Sequence, residues 1–231
     1  MEQTYLNNPD WVTSFCNKPF LLKRKLKLNE YCYNISFHSG NKKFLIRKQK
    51  IYDMNISKLL SSRERERILN DVLFKQDYIS VADVSRSLNV SKGFVSRFFS
   101  LLSKERILKK SKKKYVVHGN LKVRLLRILF NLRLFADFKF GRYPFVRGAG
   151  IYGSCAKGEN TDDSDIDIWI KIEKKDEREL AKMTGSLKKL SARISPLYLS
   201  KEKLEVLRKE DPPFYSSVVH GSIKLYGEDI V

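Results

Sequence analysis

Residues 145–172 read FVRGAGIYGSCAKGENTDDSDIDIWIKI, and the fold turns on how this stretch is laid out. Asp165 and Asp167 stand two residues apart in a run that continues as Ile168, Trp169, Ile170 and Ile172, the pattern of a strand. A strand repeats every two residues, so both carboxylates share one face, about 7 Å apart at their Cα atoms. There they can converge on one or two divalent cations, Mg²⁺ or Mn²⁺. Upstream, Gly153 and Ser154 close one strand and open a short helix. Glycine lets the backbone approach a phosphate, the serine hydroxyl can donate to a phosphate oxygen, and a helix N-terminus presents free amides. Asp-x-Asp alone is common on surfaces and Gly-Ser alone is a turn. Together, with ten residues between them, they predict a site for a metal-bound triphosphate, ATP or another NTP. Asp162 and Asp163, just ahead of the strand, read as solvated loop residues.

This arrangement resembles the minimal nucleotidyltransferases of the DNA polymerase beta superfamily. The residues that carry the resemblance are Gly153, Ser154, Ser164, Asp165, Ile166 and Asp167, with Lys157 and Gly158 where that family often has a basic residue and a glycine. The ending Ser222 to Gly227 (SIKLYG) is similar to the family's terminal apolar-Tyr-Gly. The resemblance implies an α/β (α+β), polymerase-beta-like nucleotidyltransferase domain over 141–231. It implies that Gly153 and Ser154, with Lys157 and Ser164, hold the nucleotide, and that Asp165 and Asp167 bind the metals and are catalytic. Because minimal members are often antitoxins, it also raises a toxin protein as a partner.

One departure matters. The family usually has a third carboxylate on a later strand, which helps activate the attacking hydroxyl. Here a helix is expected at 176–191 and the corresponding strand at Arg193 to Leu199 (RISPLYL), which has neither Asp nor Glu. Ser195 or Pro196 stands at the expected position, and Glu202 and Glu205 are distant substitutes. Such a member is expected to be slow, to use a loop carboxylate, or to bind nucleotide without turning it over. Pro196 places this strand at a sheet edge or a bulge.

Residues 61–120 have a helical rhythm. Ile68, Leu69, Val72 and Leu73 form one stripe; Ser80 and Asp83 can cap a second helix bearing Val81, Val84 and Leu88; Asn89 and Val90 break it. Ser91 can cap a third helix through Ser103, with Val95, Phe98, Phe99 and Leu102 inward and Lys92, Gly93, Ser96, Arg97 and Ser100 outward. Ile107 and Leu108, a basic tip from Lys109 to Lys114, and Tyr115 to Val117 describe a two-stranded wing. The stretch resembles a winged helix-turn-helix. Winged helices also bind proteins, so charge decides: Lys92, Ser96 and Arg97 on the presumed reading face and Lys110, Lys112, Lys113 and Lys114 on the wing point to nucleic acid, DNA or RNA.

Residues 1–60 read as a basic β-rich element, two strands within Tyr31 to Tyr52 divided by Ser39-Gly40-Asn41. Lys42, Lys43, Arg47, Lys48 and Lys50 could line a nucleic-acid surface or protect an edge strand. Residues 121–140 form a linking segment whose run 121–136 (LKVRLLRILFNLRLFA) is apolar on more than one side. That predicts a buried helix, packed against both neighbouring domains or against its copy in a homodimer.

The 231 residues, 42% hydrophobic, suffice for an ordinary core, and the formal charge of +20 calls for a polyanion, a membrane surface or an acidic partner. Nearly all the excess lies ahead of the Asp-x-Asp domain: residues 61–140 hold 19 basic and 7 acidic side chains, whereas 141–231 hold 16 and 15. Cys16, Cys32 and Cys155, and His38, His118 and His220, have no metal-ligand spacing, so neither a disulfide framework nor a zinc site is expected. No apolar run has the length of a membrane span and the N-terminus lacks the pattern of a signal peptide, which leads to the expectation of a soluble, cytoplasmic protein. The reading that results is a metal-dependent nucleotidyltransferase with a nucleic-acid-binding winged helix. Its alternatives are a DNA-binding regulator or antitoxin with a weak or silent catalytic fold, and an RNA-processing enzyme.

Overall fold

In the computed structural model, residues 54–173 and 177–231 are described in full, together with the backbone of three earlier strands. The chain divides into two compact units, 1–53 and 54–231. In the first, β1 (Leu26–Leu28), β2 (Tyr31–Ser36) and β3 (Leu45–Lys50) form an antiparallel sheet in that order, with Tyr31 opposite Lys50 and Ser36 opposite Leu45. The lysine-bearing strand is therefore at an edge. The turn expected at Ser39-Gly40-Asn41, and Lys42 and Lys43, lie outside the described residues.

The second unit begins with four helices: α1 (Ile56–Leu59), α2 (Arg63–Leu73), α3 (Val81–Leu88) and α4 (Lys92–Lys104). Each starts at a side-chain cap, Asn55, Ser62, Ser80 and Ser91, whose oxygen accepts a free amide of the first turn. Ser80 Oγ also donates to Asp83 at 2.6 Å, a reciprocal cap. Asn89 ends α3 in the left-handed region (φ 51°), which makes the turn into α4 tight. Strands β4 (Leu108–Ser111) and β5 (Lys114–Val117) follow as a hairpin, and Ile79 bridges to Tyr115. The core of this part is apolar, from Leu59 through Phe99 to Leu126, and it also takes in Met54 and Leu60.

Helix α5 (Leu121–Leu134), capped by Asn120, joins this core to the next one. Val123 and Leu126 belong to the helical core, while Leu132, Leu134 and the following Phe135 belong to the sheet core. In the single chain Leu121 and Leu125 of this helix are 44% and 46% exposed. They stand one turn apart, so the apolar face they share is left uncovered within 54–231.

A four-stranded mixed sheet completes the unit in the order β8-β7-β6-β9, formed by β6 (Val146–Ile151), β7 (Ile166–Ile172), β8 (Ile194–Leu199) and β9 (Ile223–Gly227). Antiparallel β6 and β7 are joined through α6 (Gly153–Lys157) and the loop 158–165. Helix α7 (Glu177–Leu190) makes the crossover to β8, which runs parallel to β7. Pro196 is tolerated because β8 is an edge strand. Helices α8 (Lys201–Glu210) and α9 (Pro212–Gly221) lead to β9 beside β6. Among the described residues no helix is long and apolar enough to cross a membrane.

Candidate active site

The two halves of the motif meet because β6 and β7 are neighbours. Ile151 pairs with Ile168, and Tyr152 N donates to the carbonyl of Asp167 at 3.1 Å, so the chain leaves β6 beside Asp167. The next residue, Gly153, has φ +63°, and a Cβ built on it would lie 2.8 Å from Asp167 Oδ2. Glycine is needed there twice over, for the left-handed backbone and for the close carboxylate. Helix α6 then opens without a side-chain cap, unlike α1 to α5, so no side chain at its N-cap covers its first amides.

On β7 the side chains alternate as expected: Ile166, Ile168 and Ile170 are buried in the sheet core, Asp167 is partly buried, and Asp165 is exposed just before the strand. Burial, and then the nearby Asp165 carboxylate, push the Asp167 carboxyl above the ordinary Asp range. Burial first, and Asp167 second, also push the Tyr152 phenol up to about 12, and the buried Cys155 thiol is raised to about 11, chiefly by desolvation. Desolvation is the main cause of all three shifts, and the carboxylates add to it.

A divalent cation between Asp165 and Asp167 would offset their charge. Among the described residues no group of three or more His, Cys, Asp or Glu side chains is placed to hold a metal ion. The protein's own donors would then be the two carboxylates, and Mg²⁺ commonly takes one or two carboxylates from a protein and the rest from phosphates and water. The residues present therefore fit a metal that arrives with a nucleotide.

The other expected residues are placed as follows. Ser154 lies in the first turn of α6, partly buried. Lys157, in its last turn, is exposed, and its carbonyl accepts from Arg124 Nε at 2.9 Å. Ser164 Oγ faces into its own loop, accepting from Thr161 N at 2.9 Å and lying 3.1 Å from Thr161 Oγ1. Asp162 and Asp163 are exposed. Of the two residues expected where the third carboxylate is missing, Ser195 is the register partner of Asp167 and Pro196 that of Ile168. Away from this site, Lys92, Ser96 and Arg97 lie on the exposed face of α4, and Lys110, Lys112, Lys113 and Lys114 are exposed on the β4–β5 hairpin, with Lys112 at φ 54° at its tip.

Sequence reasoning missed the groups that hold the loop. Arg193, at the start of β8, donates through one guanidinium nitrogen to the carbonyls of Thr161, Asp162 and Ser164. Gln76 Nε2 reaches Thr161 and Asp163, and Asp162 N donates to Phe74 O at 3.0 Å. Asn131 and Asn160 exchange side-chain hydrogen bonds of 2.9 and 3.1 Å. The one signal for any of these was Asn131, an uncharged amide in a helical run whose other polar residues are all basic.

Residues 139–230 match the family model described as polymerase beta, nucleotidyltransferase. No curated protein matches the chain. Among solved structures, a "putative nucleotidyltransferase" from Sulfolobus solfataricus is 18% identical, with 48% of this chain and 92% of that one covered and a TM-score of 0.32. A complex of a tri-AMPylated Shewanella oneidensis HEPN toxin with its MNT antitoxin matches at 17% identity, with 46% of this chain and 73% of that one covered and a TM-score of 0.27. The family match and the Gly153–Asp167 constellation fall on the same segment, so residues 139–230 are a nucleotidyltransferase-family domain.

Proposed function

We propose that this domain transfers a nucleoside monophosphate from an NTP, ATP or another, to a macromolecular acceptor, with Mg²⁺ or Mn²⁺ held by Asp165 and Asp167. The observation that carries the reading is the closeness of Gly153 to the Asp167 carboxylate, since it sets a phosphate-approach turn against a metal ligand. Gly153 and Ser154 receive the phosphates: the backbone approaches at the glycine and the hydroxyl donates. Lys157 stands at the far end of α6 to offset further phosphate charge. Ser164 braces the loop that leads into Asp165. A bound cation would offset the charge that develops on the phosphates as pyrophosphate leaves. The acceptor oxygen forms the new bond to the α-phosphorus and the bond to the β-phosphate oxygen breaks. With no Asp or Glu on β8, where Ser195 or Pro196 stands at the expected position, the hydroxyl proton passes to water, and rate depends on how well one acceptor is held in line.

The acceptor is held, in this proposal, by the helical part. Three helices, a tight turn into α4 and a hairpin with a lysine tip support a winged-helix reading. Its outward Lys92, Ser96 and Arg97 and the wing lysines 110 and 112–114 are placed to meet the phosphates and bases of DNA or RNA. A second reading, favoured by the lack of a carboxylate on β8, is a DNA-binding regulator or antitoxin whose catalytic fold binds nucleotide with little turnover. One experiment separates them. The protein is incubated with each α-³²P-labelled NTP, Mg²⁺ or Mn²⁺, and a total lysate of its source organism, then labelled RNA is separated from labelled protein. Label in an RNA band supports a nucleic-acid acceptor, label in one polypeptide a protein acceptor such as a toxin. No label and no nucleotide binding would rule out the enzyme.

A further inference from the structure

We infer that Asn131 of α5, which lies outside the family-matched segment, is a positioning residue for the nucleotide site; this rests on the function proposed above. The ten residues between Ser154 and Asp165 must hold the phosphate-approach turn and the carboxylates at a fixed separation, yet they form only the end of α6 and a loop. Their fixing comes from elsewhere. Asn131 is 5% exposed and Asn160 3%, and they are the only buried amide or charged residues among the described residues. Asn131 Nδ2 donates both to Asn160 Oδ1 and to the carbonyl of Cys155, one residue past Ser154, each at 2.9 Å. Asn160 Nδ2 returns a bond to Asn131 Oδ1 at 3.1 Å. One buried amide thus ties the start of α6 to the middle of the loop. A buried hydrogen-bonded pair of this kind is costly to break because the partner left behind is unsatisfied.

The rest of α5 presses on the same segment. Arg124 bonds Lys157 O through Nε and pairs with Glu159 at 3.0 Å. Gly158, at φ +65°, lies so close to the α5 backbone that an added Cβ would be 2.2 Å from Arg124 O. The Gly158 that the sequence shares with the polymerase-beta pattern is, in this chain, also the seat of α5.

The test compares wild type with Asn131→Ala, Asn160→Ala and the double variant Asn131→Leu/Asn160→Leu, which keeps apolar volume without the amide pair. Two readouts are taken well below the melting temperature: the Kd for MgATP, MgGTP, MgCTP and MgUTP by calorimetry, and amide hydrogen exchange without ligand. Each variant should weaken the preferred MgNTP on the order of tenfold. Each should also speed exchange at Glu159, Thr161 and Asp162, whose amides bond Ser154 O, Ser164 Oγ and Phe74 O, and leave α4 unchanged. If an asparagine variant fails to fold, Arg124→Gln is read in the same way. Variants that melt earlier but keep wild-type exchange at these amides and wild-type Kd overturn the inference. Wild type that binds none of the four nucleotides overturns the proposed function instead, and the exchange readout then still decides whether Asn131 fixes the loop.

Discussion

The helical and sheet parts of 54–231 handle polarity in opposite ways. The helical core, from Leu59 to Leu126, is built of apolar side chains and Tyr115, and apart from the partly buried Lys122–Glu105 pair and Arg127 most of its charges sit outside, on α4 and on the β4–β5 hairpin. The sheet part carries nearly balanced charge, yet it draws carboxylates toward its core at Asp167 and buries an amide pair where it meets α5. An exterior charge can be changed with little effect on folding, because it packs against nothing. A charge or amide tied to the loop cannot, because it is part of what shapes the site. Changes on the hairpin should therefore alter binding alone, and changes at the loop should alter binding and stability together.

The strongest way to break that contrast is at the carboxylates. Asp165→Asn and Asp167→Asn should each reduce Mg²⁺-dependent nucleotide transfer on the order of 10²-fold or more with the fold intact, since even groups that only support a metal ligand are typically worth 10–100-fold. Calorimetry with MgATP and the labelling assay both read this, and unchanged affinity and turnover would remove these residues from the site.

On the hairpin, replacing Lys110, Lys112, Lys113 and Lys114 by alanine should weaken binding to every duplex in similar proportion and leave the melting temperature in place. The slope of log affinity against log salt should fall by roughly 0.9 for each phosphate no longer neutralised. If the proposed winged helix binds nucleic acid, Arg97→Ala should instead relax sequence preference by about 1–3 kcal/mol at one position, because that reading turns the outward face of α4 to base edges. Filter binding over a salt series checks both. A slope that stays put after all four lysines are gone would assign their charge to solubility or to a protein partner.

Two glycines sharpen the comparison by sign. Gly158→Ala forces a side chain into a left-handed position and against the α5 backbone, so it should destabilise by about 2–4 kcal/mol in denaturant unfolding. Gly185→Ala, in the exposed middle of α7 with nothing within 4 Å of the added Cβ, should stabilise by roughly 0.5–1 kcal/mol. Equal effects would mean that α5 does not press on the loop as described.

How much of this was legible in the sequence depended on the range of the interactions involved. Ser80, Asn89 and Ser91 act on residues within a turn of themselves, so caps and stripes marked α3 and α4 to within a residue. Asp167 lies on β7 and Asp165 immediately before it, two residues apart, and Pro196 advertises an edge. Arg193, Gln76 and Asn160 carry no local pattern; each acts across 29 residues or more, on partners that only the fold brings near. Helix α5 shows the limit of periodicity. Its apolar residues point to both cores and also outward at Leu121 and Leu125, and nothing in the run itself tells these faces apart.

The smallest expected effect is also the most specific to the site. Asp167 is half-buried and faces Asp165, so its carboxyl titrates above the ordinary Asp value of 3.8. A raised carboxyl pKa means that the folded state holds this proton more tightly than the unfolded chain does. Stability is then highest when Asp167 is protonated, and it declines as the pH rises from the unfolded value through the folded one. Above both, the full penalty of an ionised, half-buried carboxylate is present. Asp167→Asn removes that penalty while keeping the shape, so the metal-free variant should melt roughly 1–3 °C above wild type at pH 7, a modest gain because the group is partly solvated. The gap should close as the pH falls toward 3.8 and below, where the wild-type side chain is itself neutral. Saturating Mg²⁺ with nucleotide should reverse the order at pH 7, since only wild type gains the ligand's stabilisation. Thermal melts of the two proteins over this pH range, with and without MgATP, read all three effects. An asparagine variant that melts lower than wild type at neutral pH without ligand would mean that Asp167 is held by favourable contacts of its own and not kept waiting for a cation.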